Sequence, residues 1–249
     1  MFTPIALSNK YNLIVSSNQT DYNMVTDLTA KGWNGTSPVD VQVTINSGVI
    51  LTASTTAKFG FTTEMLPANS RVKIVNNGWI GGKGGTGGSV GPSRSNGSAG
   101  GTGIKFTVAT VVENYGTIAG GGGGGGGGGQ AGCDCSSSSC GGYYCTGAVG
   151  GGGGAGYGVA GVGYTWCNAS AWTSPVSGNA GTQTTGGAVS TYSGAGGGLG
   201  AAGTNGSQAA NCGDGNQNGT SGGLGGSATL NQATWATWSV YGTYYGALN

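Results

Sequence analysis

Ten consecutive glycines, Gly120 to Gly129, sit inside the stretch "GTIAGGGGGGGGGGQAGCDC" at 116–135. Glycine loses more backbone freedom on folding than any other residue. At ~1–2 kcal/mol per residue, ordering such a run costs on the order of 10–20 kcal/mol. It is therefore either a floppy linker or the centre of something dense enough to offset that cost.

The glycines elsewhere recur in threes. Gly81, Gly84 and Gly87 are spaced this way, as are Gly82, Gly85 and Gly88, then Gly97, Gly100 and Gly103. The interval returns at Gly150, Gly153 and Gly156, from Gly194 through Gly206, and at Gly219, Gly222 and Gly225. Period three is the turn of a polyproline-II-type helix, which makes no internal hydrogen bonds, so its N–H and C=O groups point outward on three faces. Buried, they must pair with neighbours. A face touching another such helix admits only glycine, because a Cβ would hold the backbones apart. GxxG then marks one packed face, GGX marks two, and unbroken glycine marks all three. This predicts Gly120–Gly129 as the central rod of a stack, about 31 Å long. Roughly twenty bonds to neighbouring rods at ~0.5–1.5 kcal/mol each would offset its ordering cost. A linker remains the alternative, but linkers do not recur as period-three segments.

Glycine makes up 60 of the 249 residues, with only five prolines and no continuous triplet repeat, which excludes collagen. Eight Lys+Arg stand against seven Asp+Glu, and beyond Glu113 the only charges are Asp134 and Asp214. A near-neutral chain without basic clusters argues against nucleic acid or an anionic membrane as partner. The aromatic residues of the low-charge half argue for order rather than disorder.

Residues 1–75 read as a small α/β or β-rich domain, and 76–249 as a glycine-rich domain with long loops and little regular helix. Within the first, "YNLIVSS" (11–17), "VDVQVTIN" (39–46), "GVILTAS", "KFGFTT" and "SRVKIVNN" read as strands. A short helix fits within 18–33, capped by Asn18 or Thr20 and ended by Gly32. A related phrase recurs across the boundary: "NNGWIGG" at 76–82 and "NYGTIAG" at 114–120, offset by 38, suggesting stacked units. The ending "WATWSVYGTYYGALN" (235–249) reads as a strand returning to cover the stack or pair with another element.

Between the glycine segments lie stretches rich in Ser, Asn, Tyr, Trp and Cys. Tyr143, Tyr144, Tyr157, Tyr164, Trp166 and Trp172 are candidate binding residues, since Tyr and Trp give large contact area at low entropic cost. The alternative is that these aromatics only lid the ends of the stack. Cys133, Cys135, Cys140, Cys145, Cys167 and Cys212 allow up to three disulfides in 15 connectivities. Cys133 and Cys135 are poor partners, because one intervening residue strains the geometry. No signal peptide or apolar span is read in the sequence. Disulfides without an export signal fit a particle assembled in the cytosol and released by lysis. Free buried thiols are the other reading.

Catalytic chemistry is sparse. With no histidine, Ser-His-Asp, Cys-His and histidine-metal sites are impossible. The carboxylates are scattered, and "GGKGGTGG" lacks the GK[ST] ending of a phosphate loop. No catalytic residue, metal or cofactor is expected.

From about Asn76 onward the chain resembles the glycine-rich tip adhesins on long tail fibres of T-even-like bacteriophages. The shared features are "GWIGGKGGTGG", "GTIAGGGGGGGGGG", variable loops alternating with glycine motifs, and the closing "W…YGTYYGALN". The resemblance implies a polyglycine-II sandwich whose far-end loops bind a host outer-membrane protein or surface glycan. It also implies attachment to a trimeric tail-fibre protein and a place at the distal tip of the virion's fibre. The resemblance lies mainly over 76–249. Two other readings stay open: a polyglycine-II antifreeze protein, and an extracellular matrix or bacterial surface protein.

Overall fold

The computed structural model describes residues 9–90, 94–129, 149–166, 172–175, 177–189, 192–208 and 218–249. Strict alternation makes Val39–Ile45 a strand with one apolar face. Val39, Val41, Val43 and Ile45 are buried while Gln42 is exposed. Short strands of this kind recur, and the chain winds them through three parallel sheets in turn. The first coil is β1 (Asn9–Val15), β2 (Gln19–Thr20) and β3 (Tyr22–Asn23), followed by α1 (Met24–Ala30). The second is β4 (Val39–Ile45), β5 (Ile50–Thr52) and β6 (Phe61–Thr62). The third is β7 (Arg71–Asn76), β8 (Trp79–Gly81) and β9 (Ile104–Lys105). The fourth begins with β10 (Ala109–Asn114) and β11 (Thr117–Ala119). An antiparallel pair, β12 (Tyr164–Trp166) and β13 (Trp172–Pro175), intervenes before β14 (Thr229–Leu230) completes that coil. After the short α2 (Gln232–Trp235), β15 (Ala236–Val240) and β16 (Thr243–Tyr245) form a last, partial coil.

The sheets run β1-β4-β7-β10-β15, β16-β11-β8-β5-β2 and β14-β9-β6-β3, so each strand pairs with its counterpart one coil away. Pairing in parallel register stacks like on like. Val43, Ile74 and Val112 form one buried column, Leu51, Ile80 and Ile118 a second, and Tyr22, Phe61 and Ile104 a third. Each such side chain contributes roughly 1.5–3 kcal/mol of burial. The sheets thus join residues on both sides of position 75.

The helix differs from expectation in its cap. Asn23, not Asn18 or Thr20, accepts a hydrogen bond from the Val25 N–H at 3.0 Å. Asn18 Oδ1 instead accepts from the Ile50 N–H at 2.8 Å, and Thr20 lies in β2, with Asp21 turning the chain at φ +53°. Gly32, at φ +89°, follows the helix end as expected.

The repeat at offset 38 is a pair of stacked corners. Asn76 stands in register with Asn114, and Trp79 with Thr117. The two asparagines are buried, and Asn76 Nδ2 donates to Asn114 Oδ1 at 2.8 Å. Asn114 Nδ2 donates onward to the carbonyls of Tyr241 and Thr243, tying in the last coil.

The glycine segments leave and re-enter these coils at Gly82, Gly103, Gly120 and Ser227. They run alternately outward and back: 82–90 out, 95–103 in, 120–129 out and 149–155 in, then 157–163 out and 178–182 in. The rest follow the same rule: 185–189 out, 193–199 in, 201–207 out and 219–227 in. Gly120–Gly129 is buried throughout and bonded on all sides. Every third N–H donates to the same neighbour: Gly121 and Gly124 to Gly101 and Ser98, and Gly122, Gly125 and Gly128 to Ala155, Gly152 and Val149. Gly123, Gly126 and Gly129 donate to Ala201, Thr204 and Ser207. The carbonyls of Gly120 to Gly127 accept from 85–88, 194–200 and 220–226. The run is no linker. In 82–89 the glycines are buried while Lys83, Thr86 and Ser89 reach the surface to varying degrees.

A Cβ on Gly124 would lie 1.9 Å from the Thr86 carbonyl oxygen, a backbone atom that cannot step aside. Gly124→Val is therefore expected to abolish cooperative folding, a cost above about 4 kcal/mol. Lys83→Ser, at an outward position, is expected to shift stability by less than about 1 kcal/mol. Thermal melting of the two purified variants checks both; a normally melting Gly124→Val protein would contradict the lattice.

Candidate functional site

The alternating segments give the glycine unit two ends. The near end abuts the coils and is closed by the turns at 155–157, 182–185 and 198–200. At the far end Gly129 donates to Ser207, Gly128 to Val149, and Val90 to Val162. The connections leaving these anchors are the Ser-, Asn- and aromatic-rich stretches of the sequence.

Trp166 and Trp172 are register partners across the β12–β13 pair, and Tyr164 pairs with Pro175 on the same two strands. Their anchors are far-end residues, since Val162 accepts from Val90 and Gly178 donates to Gly161. Tyr157 is elsewhere. It occupies a near-end turn at φ +62°, 41% exposed, with Lys83 Nζ 6.0 Å from its ring centroid. It is therefore not brought together with the tryptophans. Tyr143 and Tyr144 lie outside the described residues, as do all six cysteines. The segment carrying the tyrosines joins Gly129 to Val149, both at the far end.

Several aromatics stand out only in three dimensions. Tyr192, at φ +76°, accepts from Ser207 at the far end. Trp235, Tyr241, Tyr244 and Tyr245 are 42–56% exposed on the last coil. The inward column Leu51–Ile80–Ile118 continues in register to Tyr244, and Val43–Ile74–Val112 continues to Trp238. The apolar stack thus ends open. Trp238 stacks on Tyr241 at 5.5 Å, and Trp238 Nε1, Thr229 Oγ1 and Gln232 Oε1 are buried without partners. The opposite end is closed: Leu13, Val15 and Tyr22 are buried in one cluster with Met24, Leu28 and Trp33. Tyr22 also donates to Asp27 Oδ2 at 2.9 Å, and burial with that neighbour pushes its phenol well up from the ordinary value.

The sequence profile of the phage tail fibre adhesin Gp38 family matches residues 10–249. The chain belongs to that family. The match reaches further than the resemblance read from the sequence, taking in the N-terminal strands. It supports neither the antifreeze nor the matrix reading. As a Gp38-family chain it also shares its fold with a solved structure, that of the gp37-gp38 adhesin tip complex of the bacteriophage S16 long tail fiber. The two are 24% identical with a TM-score of 0.63, covering 97% of this chain and 82% of that one. No curated protein matches the sequence. Among the described residues no helix is long and apolar enough to cross a membrane, and no cluster of metal-binding side chains occurs.

One side chain closes the far end of the adhesin's central run. The Gly127 N–H donates to Thr220 Oγ1 at 2.7 Å, a buried bond where the neighbouring rungs use a carbonyl. Thr220→Val keeps the shape and orphans that donor, a penalty of about 1–3 kcal/mol. Lower melting with faster hydrogen exchange at Gly127 is the expected result; unchanged exchange there would contradict it.

Proposed function

We propose that this adhesin sits at the distal tip of a phage tail fibre and binds a host outer-membrane protein or surface glycan through its far-end loops. The observation that carries this reading is the separation of ends. The coils occupy one end, and the aromatic stretches holding Trp166 and Trp172 leave from the other. In this reading the glycine segments are polyglycine-II helices forming a sandwich, which accords with their period-three hydrogen bonding. The six cysteines staple the loops to one another. Hydrogen bonding between Gly129 and Ser207, from which the segments with Cys133 and Cys212 depart, supports that role.

The coil unit, 9–81 together with 104–119 and 229–249, attaches the adhesin to a trimeric tail-fibre protein through its open end. Exposed inward-column aromatics and unpaired polar atoms there are what a docking surface would cover. The S16 complex, which joins a gp37 to a gp38, accords with such a partnership. Assembled this way, the protein is a virion component released on host lysis and performs no catalysis.

Replacing Tyr143, Tyr144, Trp166 and Trp172 with alanine is expected to reduce adsorption to host cells by tenfold or more. Single aromatic hot spots carry about 2 kcal/mol each. The loss should respond weakly to salt, because so few charges steer the encounter. Melting that matches wild type together with wild-type adsorption would remove the loops as the receptor site. Separately, Trp235→Ser with Tyr241→Ser and Tyr244→Ser is expected to lower the amount of adhesin on purified particles, read by quantitative mass spectrometry. Wild-type incorporation of this folded variant would move attachment elsewhere.

A further inference from the structure

A cleft of about 410 Å³ lies where two near-end turns of the glycine unit hang over the coils. Trp79, Thr117 and Tyr245, from β8, β11 and β16, form its floor, and Thr184, Gly198 and Leu199 form the overhang. Register explains the floor. Thr117 pairs with Trp79, and Ala119 with both Gly81 and Tyr245, so these positions share the face opposite the inward Ile80 and Ile118. The indole of Trp79 folds back along that face over Gly81, where a Cβ would come within 1.9 Å of Cη2.

Three properties mark the cleft as built to hold something. Its lining has no charged side chain. Trp79 is 8% exposed and its Nε1–H is buried without an acceptor, an unmet donor of the kind folded proteins rarely leave. Gly198 also differs from the glycines packed around it. An added Cβ would meet nothing within 4 Å, and its φ is not in the left-handed region, so neither packing nor backbone demands glycine there. Its effect is to keep the overhang open.

We propose that this cleft binds a neutral saccharide, at a site separate from the far-end loops. Two aromatic side chains offer flat faces to the C–H-rich face of a pyranose ring. The Thr117 and Thr184 hydroxyls offer neutral hydrogen bonds to sugar hydroxyls. The absence of a lining cation or anion disfavours phosphates, carboxylates and amines. The volume lies within the range of small-ligand sites and accommodates a disaccharide.

The test uses the isolated full chain and saturation-transfer NMR with three probes: cellobiose, maltose and N,N′-diacetylchitobiose. At least one is expected to receive saturation from the wild-type protein at millimolar concentration. Gly198→Trp, which fills the cleft from an unobstructed position, is expected to abolish the signal, and Tyr245→Ala to weaken affinity about tenfold. Thr184→Trp, on the exposed opposite turn, serves the same purpose should Gly198→Trp melt below wild type. The variant with four alanines in the loops is expected to keep the signal. Silence of all three probes, a signal that survives in both folded tryptophan variants, or its loss from the loop variant would each overturn the assignment.

Discussion

Everything in the glycine unit depends on one demand: a buried peptide N–H and C=O must each find a partner. Helices meet that demand within one segment and sheets meet it in one plane. The segments here meet it in three directions at once, and only glycine permits this. At Gly123 the N–H goes to Ala201 and the C=O accepts from Gly197, while Gly122 and Gly124 turn to four other segments. Side chains at those positions would occupy the space that the neighbouring backbones now fill. The entropy cost of so much glycine is the corollary of that density.

The parallel coils supply what the glycine segments lack, which is register. Strands β8 and β11 are neighbours, and the adjacency persists where they run out. Gly82 donates to the Ala119 carbonyl at 3.0 Å, and Gly85 then donates to Gly122 at 2.8 Å. The coils in turn are aligned by side chains. Their stacked columns of Val, Leu, Ile and Phe match like with like, and the Asn76–Asn114 pair satisfies corner groups that would otherwise be buried unpaired. A slip of one coil residue would turn each column inside out. Side-chain specificity in the coils thus sets the positions from which an almost featureless backbone lattice begins.

This division explains what was legible in the sequence. The alternation of 39–45, the offset of 38 between two corners and the period-three glycines are local patterns, each imposed by a face that must be buried. Residue pairing across long gaps leaves no such trace. That β14 would return beside β9, or that 201–207 and not another segment would flank Gly123, follows from three-dimensional closure. The helix cap was missed for a related reason. Asn18 and Thr20 have the right chemistry, but their groups serve β5, and Asp21 at φ +53° delays the helix start. Tyr157 resembles the loop aromatics in composition, yet chain direction reverses between each segment and the next, so a residue's end of the unit depends on counting turns. Tyr244 was readable as part of a strand, but Trp235 falls in α2, Tyr241 between β15 and β16, and the exposure of all three at an open end was not legible.

A lattice bonded mainly through backbone also places most of its sequence demands on its buried glycines. Most rungs around Gly120–Gly129 are amide-to-carbonyl, and side chains such as Ser98, Thr204 and Asn205 add bonds between the outer segments. An outward position such as Lys83 faces no neighbouring rod, whereas a Cβ at any of Gly120 to Gly126 would meet backbone within 2.1 Å. Near the coils the opposite holds. Trp79 shields Gly81, and β16 sits on β11 with its last coil secured by Asn114. Changes there propagate into register and hence into every segment beyond.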